Sequence, residues 1–241
     1  MSSADRAMAR RGSYRASLRS PDYFAVRHLR AFLESRLATY VQKDARVVDV
    51  GCGEQPLRPL ITGRGASYLG LDVVQNGANS VGALALATHI PLAGACADVV
   101  VITEVLEHVA DTWTAFRELA RIVRPGGHVL VTLPFIYPLH EEPHDFVRLT
   151  PHALRTLAAE NDLEIVELTT HGNELESIAL IWAQLWERLP RGPWLLRKPL
   201  TLARMLMNVV TNAIGSALSG AFDARLPRKV FTNVVCVLRR P

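Results

Sequence analysis

Residues Val47-Val48-Asp49-Val50 run without a break into Gly51-Cys52-Gly53, and this join restricts the fold more than any other stretch of the chain. Four residues suited to a buried strand meet a glycine pair, and the apolar positions Leu57, Leu60 and Ile61 beyond it can open a helix. A strand, a tight turn and a helix are expected. Glycine at 51 and 53 lets the backbone turn sharply and approach a ligand with no Cβ in the way, and a helix start adds unpaired N–H groups. A nucleotide-like ligand is implied.

Its kind depends on where the glycines stop. A dinucleotide fingerprint needs a third glycine three places after the second, for close helix packing beside a pyrophosphate, and position 56 is Pro. The next apolar run, Tyr68-Leu69-Gly70-Leu71, ends in Asp72, whose carboxylate can accept from a pair of ribose hydroxyls. With Asp49-Val50-Gly51-Cys52-Gly53 and Asp72 taken together, the chain resembles the class I S-adenosylmethionine-dependent methyltransferases.

The resemblance covers about residues 22–170 and the last strand. It implies a doubly wound α/β fold: a seven-stranded, mostly parallel sheet with helices on both faces, and in this chain a helical insertion before the last strand. It implies S-adenosyl-L-methionine as methyl donor and S-adenosyl-L-homocysteine as product. By likeness, Gly51, Cys52 and Gly53 approach the methionyl part, Asp49 receives its amino group, Asp72 holds the ribose and Glu104 stands near the reactive end. From the residues alone, Asp49 could equally cap its own turn. One departure concerns the adenine: the third strand, Ala83 to Leu86, ends near Thr88 and His89 with no acid, so a backbone carbonyl would have to serve.

At 241 residues and 49% hydrophobic composition, one domain with a large core is expected. Cys52, Cys96 and Cys236 have no metal-ligand spacing and suit a reducing compartment, and no apolar signal segment follows Arg6, Arg10 and Arg11, so a cytoplasmic protein is expected. Charge divides the chain: net +5 over 1–30, −10 over 31–187 and +9 over 188–241. Residues 1–20, rich in Ser and Arg, read as a mobile basic arm, and 21–241 as the catalytic domain. The acidic body carries no phosphate-tracking stripe or aromatic stacking run, which argues against nucleic acid as partner.

Val26, Leu29, Leu33, Leu37 and Tyr40 space an amphipathic helix ahead of strand one. Asp98 to Ile102 suits a strand buried on both faces, followed by Glu104 and His108 at an i, i+4 spacing that shares one face if the segment turns helical; the plainer alternative leaves Glu107 solvated and His108 capping or packing. A helix through Trp113, Phe116, Ala120 and Val123 stops at Pro125-Gly126-Gly127, and strand five follows at His128 to Phe135. Beyond it lies the densest polar cluster, His140-Glu141-Glu142-Pro143-His144-Asp145-Phe146-Val147-Arg148, where ligands of open α/β sheets sit. Thr150-Pro151 closes this loop as a helix cap and first-turn pair.

The insertion, about residues 173–229, holds two amphipathic helices: one through Leu175, Ile178, Trp182, Leu185 and Leu189, and one over Pro199 to Phe222. The second has a broad apolar face and a polar stripe of Arg204, Asn208, Thr211 and Ser219. Its asparagines and glycines disfavour a transmembrane span. A lid or homodimer surface burying the apolar face is expected, with peripheral contact to anionic lipid as the alternative.

Methyl transfer from a sulfonium is an in-line displacement, and a neutral hydroxyl acceptor needs its proton removed as the bond forms. His144 is the expected base, backed by Asp145 or Glu142, with His108 and His140 in reserve. The spacing His140, Pro143, Asp145, Arg148 resembles loops of methyltransferases acting on sugars and natural products, so a small-molecule or saccharide acceptor is expected, with Arg148 and Glu141 binding it. Asp145 and Arg148 could instead pair and only shape the loop. Three alternatives stay open: an N-methyltransferase acting on a small amine, oriented by Glu104; a divalent metal on the loop carboxylates; and a non-catalytic cofactor-binding or assembly protein.

Overall fold

The computed structural model describes residues 14–188, 196–223 and 229–241. Residues 1–13 of the expected arm, and 189–195 and 224–228 of the expected insertion, lie outside the described residues. In chain order the elements are α1 (Tyr23–Tyr40), β1 (Arg46–Val50), α2 (Arg58–Thr62), β2 (Ser67–Asp72), β3 (Ala83–Leu84) and β4 (Ala97–Thr103). A 3-10 turn over Leu106–His108 leads to α3 (Thr112–Ile122), β5 (Val123–Pro134), α4 (Pro151–Glu160), β6 (Glu164–His171), α5 (Glu174–Arg188), α6 (Arg197–Asp223) and β7 (Asn233–Arg239).

The seven strands form one sheet in the order β3-β2-β1-β4-β5-β7-β6. The first five are parallel, while β7 runs antiparallel between β5 and β6. Strand alternation sorts the core into two layers. Val47, Val99, Val101, Leu130, Val235 and Val237 join α1 and α2 on one face, through Leu29, Phe32, Leu33, Leu37, Leu57 and Ile61. Val48, Val50, Val100, Ile102, Val129 and Val131 join α3 and α4 on the other, through Phe116, Leu119, Leu154 and Leu157. The expected doubly wound architecture is therefore present, with the order reversal between β1 and β4 opening a crevice at the carboxyl ends of the strands.

Local chemistry sets the helix starts. Asp111 accepts from the Thr114 N–H to cap α3, and the Thr150 hydroxyl accepts from Ala153 N–H ahead of Pro151 to cap α4. The third strand is shorter than the sequence suggests, Ala83–Leu84, because Leu86 folds back to bridge His89.

Two parts of the chain differ from expectation. Residues 14–20, read as the end of a mobile arm, are tied down: Asn212 donates to the Leu18 and Ser20 carbonyls, Asn208 to the Arg19 carbonyl, and the Tyr14 hydroxyl hydrogen-bonds with Thr103 Oγ1 at 2.7 Å. The same bonds turn α6 over. Its polar stripe faces inward, with Asn208, Asn212 and Ser219 buried, while Leu202, Leu206, Val210, Ile214 and Leu218 are each about half exposed. Amides are costly to leave unpaired in an apolar setting, so pairing them with these backbone carbonyls fixes the orientation and leaves the leucines outward. Among the described residues no helix is long and apolar enough to cross a membrane.

Candidate active site

The turn after β1 is built as its glycines suggest. Gly51 adopts φ +73° and Gly53 φ +49°, both left-handed. A Cβ at Gly51 would collide with the Val105 side chain, whereas one at Gly53 would meet nothing within 4 Å. The first glycine is thus required by packing, and the second borders open space where a ligand can approach the backbone. The Gly51 and Cys52 N–H groups both donate to the Leu71 carbonyl, and Gly53 N–H donates to Asp72 Oδ2 at 2.8 Å. Asp72 Oδ1 accepts from Val73 and Val74 N–H. Cys52 turns inward, and burial pushes its thiol up to about 12, so its side chain is an inert packing group. The following helix α2 is a single short turn-and-a-half, and the Arg58 N–H at its start is already taken by the Gln55 carbonyl.

Asp49 lies beneath this turn with 1% of its surface exposed. The Tyr68 hydroxyl donates to its Oδ2 at 2.7 Å, and Oδ1 has no hydrogen-bond partner among the described residues. Burial raises its pKa to about 7, against the lowering effect of the Tyr68 bond and with help from the Asp72 charge. A buried carboxylate oxygen of this kind suits the ammonium of an incoming amino acid group. Together with the open backbone at Gly53 and the acid at Asp72, it fits the donor expected from the sequence.

Beyond β4 the chain departs from the i, i+4 expectation. Glu104 sits at φ +53°, donates its N–H to the Thr132 carbonyl and turns its carboxylate toward Asn233 Nδ2 at 3.4 Å, away from any helix shared with His108. Glu107, expected to be solvated, is fully buried. Its backbone carbonyl accepts from Phe146 N–H at 2.8 Å, which ties the loop after β5 to the turn after β4. This bond brings residues distant in sequence together: His108 Nε2 lies 3.6 Å from Glu107 Oε1 and 3.5 Å from Glu141 Oε2, and His140 Nε2 lies 3.9 Å from Glu107 Oε1. The His108 and His140 rings stack edge to face, with centroids 4.7 Å apart.

The carboxylate of Asp145 does not back His144. It accepts from both terminal nitrogens of Arg148 and from the His140 N–H at 3.0 Å, and lies 3.1 Å from His140 Nδ1. Burial opposes its ionisation, but the Arg148 bonds and the His140 N–H outweigh it and hold the carboxyl down at about 2. Glu142 and His144 are exposed. The His144 carbonyl meets His108 Nδ1, so the residue is anchored by its main chain while its ring stands at the surface near Phe146. The residues missed by sequence reasoning are Glu107, Tyr68 and Asn233. For Glu107 the available signal was its place one turn beyond a buried strand; the other two give no local signal.

Residues 48–131 match the family model described as a methyltransferase domain. A ubiquinone biosynthesis O-methyltransferase of Rhizobium etli (strain CIAT 652) is 28% identical over 208 residues, covering 81% of this chain and 73% of that protein. Among solved structures, phosphoethanolamine N-methyltransferase 2 of Haemonchus contortus, in complex with S-adenosyl-L-methionine, superposes with a TM-score of 0.57 at 16% identity, covering 88% of this chain and 52% of that one. Geranyl diphosphate C-methyltransferase of Streptomyces coelicolor A3(2) gives 0.55 at 15% identity, covering 91% and 86%.

Proposed function

We propose that the chain is a class I S-adenosylmethionine-dependent methyltransferase and that it methylates a hydroxyl oxygen of a small acceptor, saccharides included, with His144 as the base. The observation that carries this reading is the meeting of the loops after β4 and β5 at the carboxyl ends of the strands, beside the Gly51–Gly53 turn. The relatives named as O-methyltransferases support oxygen over nitrogen as the acceptor atom.

The donor supplies an electrophilic methyl on a sulfonium. Asp72 would hold its ribose, the Gly51–Gly53 backbone would approach its methionyl part, and Asp49 would receive its amino group. Aligning the acceptor oxygen at about 3 to 3.5 Å from the methyl removes much of the entropic barrier. As the oxygen–carbon bond forms and the sulfur–carbon bond breaks, the hydroxyl proton passes to the His144 imidazole, the loop histidine left exposed to an entering substrate. Arg148 and Glu141 orient the acceptor's remaining polar groups. Arg148 does so from a guanidinium already fixed on Asp145, so little freedom is lost on binding.

The test is transfer of a labelled methyl group to a panel of phenols, saccharides and primary amines, with products mapped by mass spectrometry. Oxygen-linked products are expected. Nitrogen-linked products alone would move the assignment to the amine reading, and tight S-adenosylhomocysteine binding with no turnover on any acceptor would favour a binding protein.

A further inference from the structure

We propose that Glu107, His108 and His140 form a binding site for one divalent first-row transition metal ion, open on its cleft side to an acceptor oxygen. The ligand atoms of these three residues all lie within 4.8 Å of one another, although they come from two loops more than thirty residues apart in the chain. The inference deepens the O-methyltransferase reading and rests on it only for the acceptor, not for the ion.

The tautomers carry the argument. His108 Nδ1 faces the His144 carbonyl, which accepts and cannot donate, so Nδ1 bears the hydrogen. In the neutral ring Nε2 is then a lone pair. That nitrogen is buried, has no hydrogen-bond partner among the described residues, and faces carboxylate oxygens of Glu107 and Glu141 at 3.6 and 3.5 Å. His140 repeats the pattern: Nδ1 is engaged by Asp145 Oδ2 at 3.1 Å and the Pro138 carbonyl at 3.2 Å, and Nε2 points at Glu107. Two ring nitrogens and a carboxylate thus converge on one point, an arrangement that a cation can bridge.

An outer carboxylate or carbonyl that fixes the far nitrogen of each imidazole is the arrangement found around metal-bound histidines, because it sets the tautomer and raises the basicity of the ligating nitrogen. Here Asp145 does this for His140 and the His144 carbonyl for His108. Two imidazoles and one carboxylate select borderline ions over Mg²⁺ or Ca²⁺, which prefer all-oxygen sets. Three protein ligands leave coordination positions for an acceptor hydroxyl, whose proton such an ion would make easier to lose. His144, outside the ligand set, remains placed to take it.

The experiment strips the full-length protein with a chelator and titrates it with Co²⁺, following ligand-field absorption in the visible and the heat of binding. One Co²⁺ per chain is expected, with at least ten-fold weaker binding in Glu107→Gln and in His140→Ala. S-adenosylhomocysteine affinity and the melting transition serve as folding controls. His140 is partly exposed, so its variant keeps the test intact where the buried Glu107 substitution fails to fold. No stoichiometric Co²⁺ binding, or unchanged affinity in folded His140→Ala, would overturn the site. Because the titration needs no acceptor, methyl transfer to oxygen by a protein that binds no Co²⁺ would remove the ion and leave the O-methyltransferase reading standing. Co²⁺ binding without any oxygen-linked product would do the reverse.

Discussion

The Gly53 N–H donates to Asp72 Oδ2 across 2.8 Å, so the acid at the end of β2 holds the glycine turn that follows β1. In the proposed donor site Asp72 would thereby be both a wall and the fastening of the turn. Asp72→Ala removes the proposed charged acceptor for the ribose and slackens the turn, and should weaken S-adenosylhomocysteine binding by about 1.5 to 3 kcal/mol, the range for hydrogen bonds to a charged group. Calorimetry returning an unchanged dissociation constant would mean that the ribose is held elsewhere.

Gly51 and Val105 set the second expectation. A methyl group at 51 meets the Val105 side chain, and φ +73° is unfavourable for any residue with a Cβ. Gly51→Ala should lower stability by about 1 to 3 kcal/mol through overpacking and by about 1 to 2 kcal/mol through backbone strain. Adding Val105→Ala should relieve only the first part, because the backbone angle remains. Complete recovery of the denaturation midpoint in the double variant would show that strain contributes nothing.

How far these features could be read from the chain follows from how local each one is. The β1 turn, the cap at Thr150 and the buried β4 run are written in neighbouring residues, and each appears where the pattern indicates. The family resemblance implied a mostly parallel sheet, and nothing in Asn233 to Arg239 itself states that β7 runs antiparallel between β5 and β6. The pattern of α6 displays a polar stripe but not which side is covered, and the carbonyls at 18–20 that decide it are almost two hundred residues away. Glu107 was misjudged for the same reason: the loop that buries it begins beyond β5.

Asp49 offers a prediction in pH. Its folded pKa of about 7 lies above its ordinary value of 3.8, so between those values the folded chain holds a proton that the unfolded chain has released. Stability therefore falls as pH rises from about 4 to about 7, and the loss is complete above 7. Asp49→Asn cannot ionise. Its melting temperature should gain on the natural protein across that window and hold a constant lead above it, as scanning calorimetry from pH 4 to 8.5 would record. A constant difference at every pH would mean that Asp49 titrates normally.

His144 commits the chemistry. Its carbonyl is engaged by His108, its ring is exposed, and the nearby carboxylate of Asp145 is taken by Arg148 and His140, so Asp145 is not available to replace it as the proposed base. His144→Ala retains the main-chain carbonyl and with it the orientation of His108. It should therefore cost roughly 10²- to 10⁴-fold in turnover while leaving the affinity for S-adenosylhomocysteine almost unchanged. His144→Gln keeps a hydrogen-bonding side chain of similar reach but no base, and should lose nearly as much. Comparable losses in kcat with little change in KM would separate removal of a proton acceptor from removal of a binding contact. Near-normal turnover in both variants would discard the base assignment. Deprotonation would then fall to the His108–His140–Glu107 cluster or to an ion held there, and transfer of the methyl to an amine instead would make Glu104, beside Asn233, the residue to substitute next.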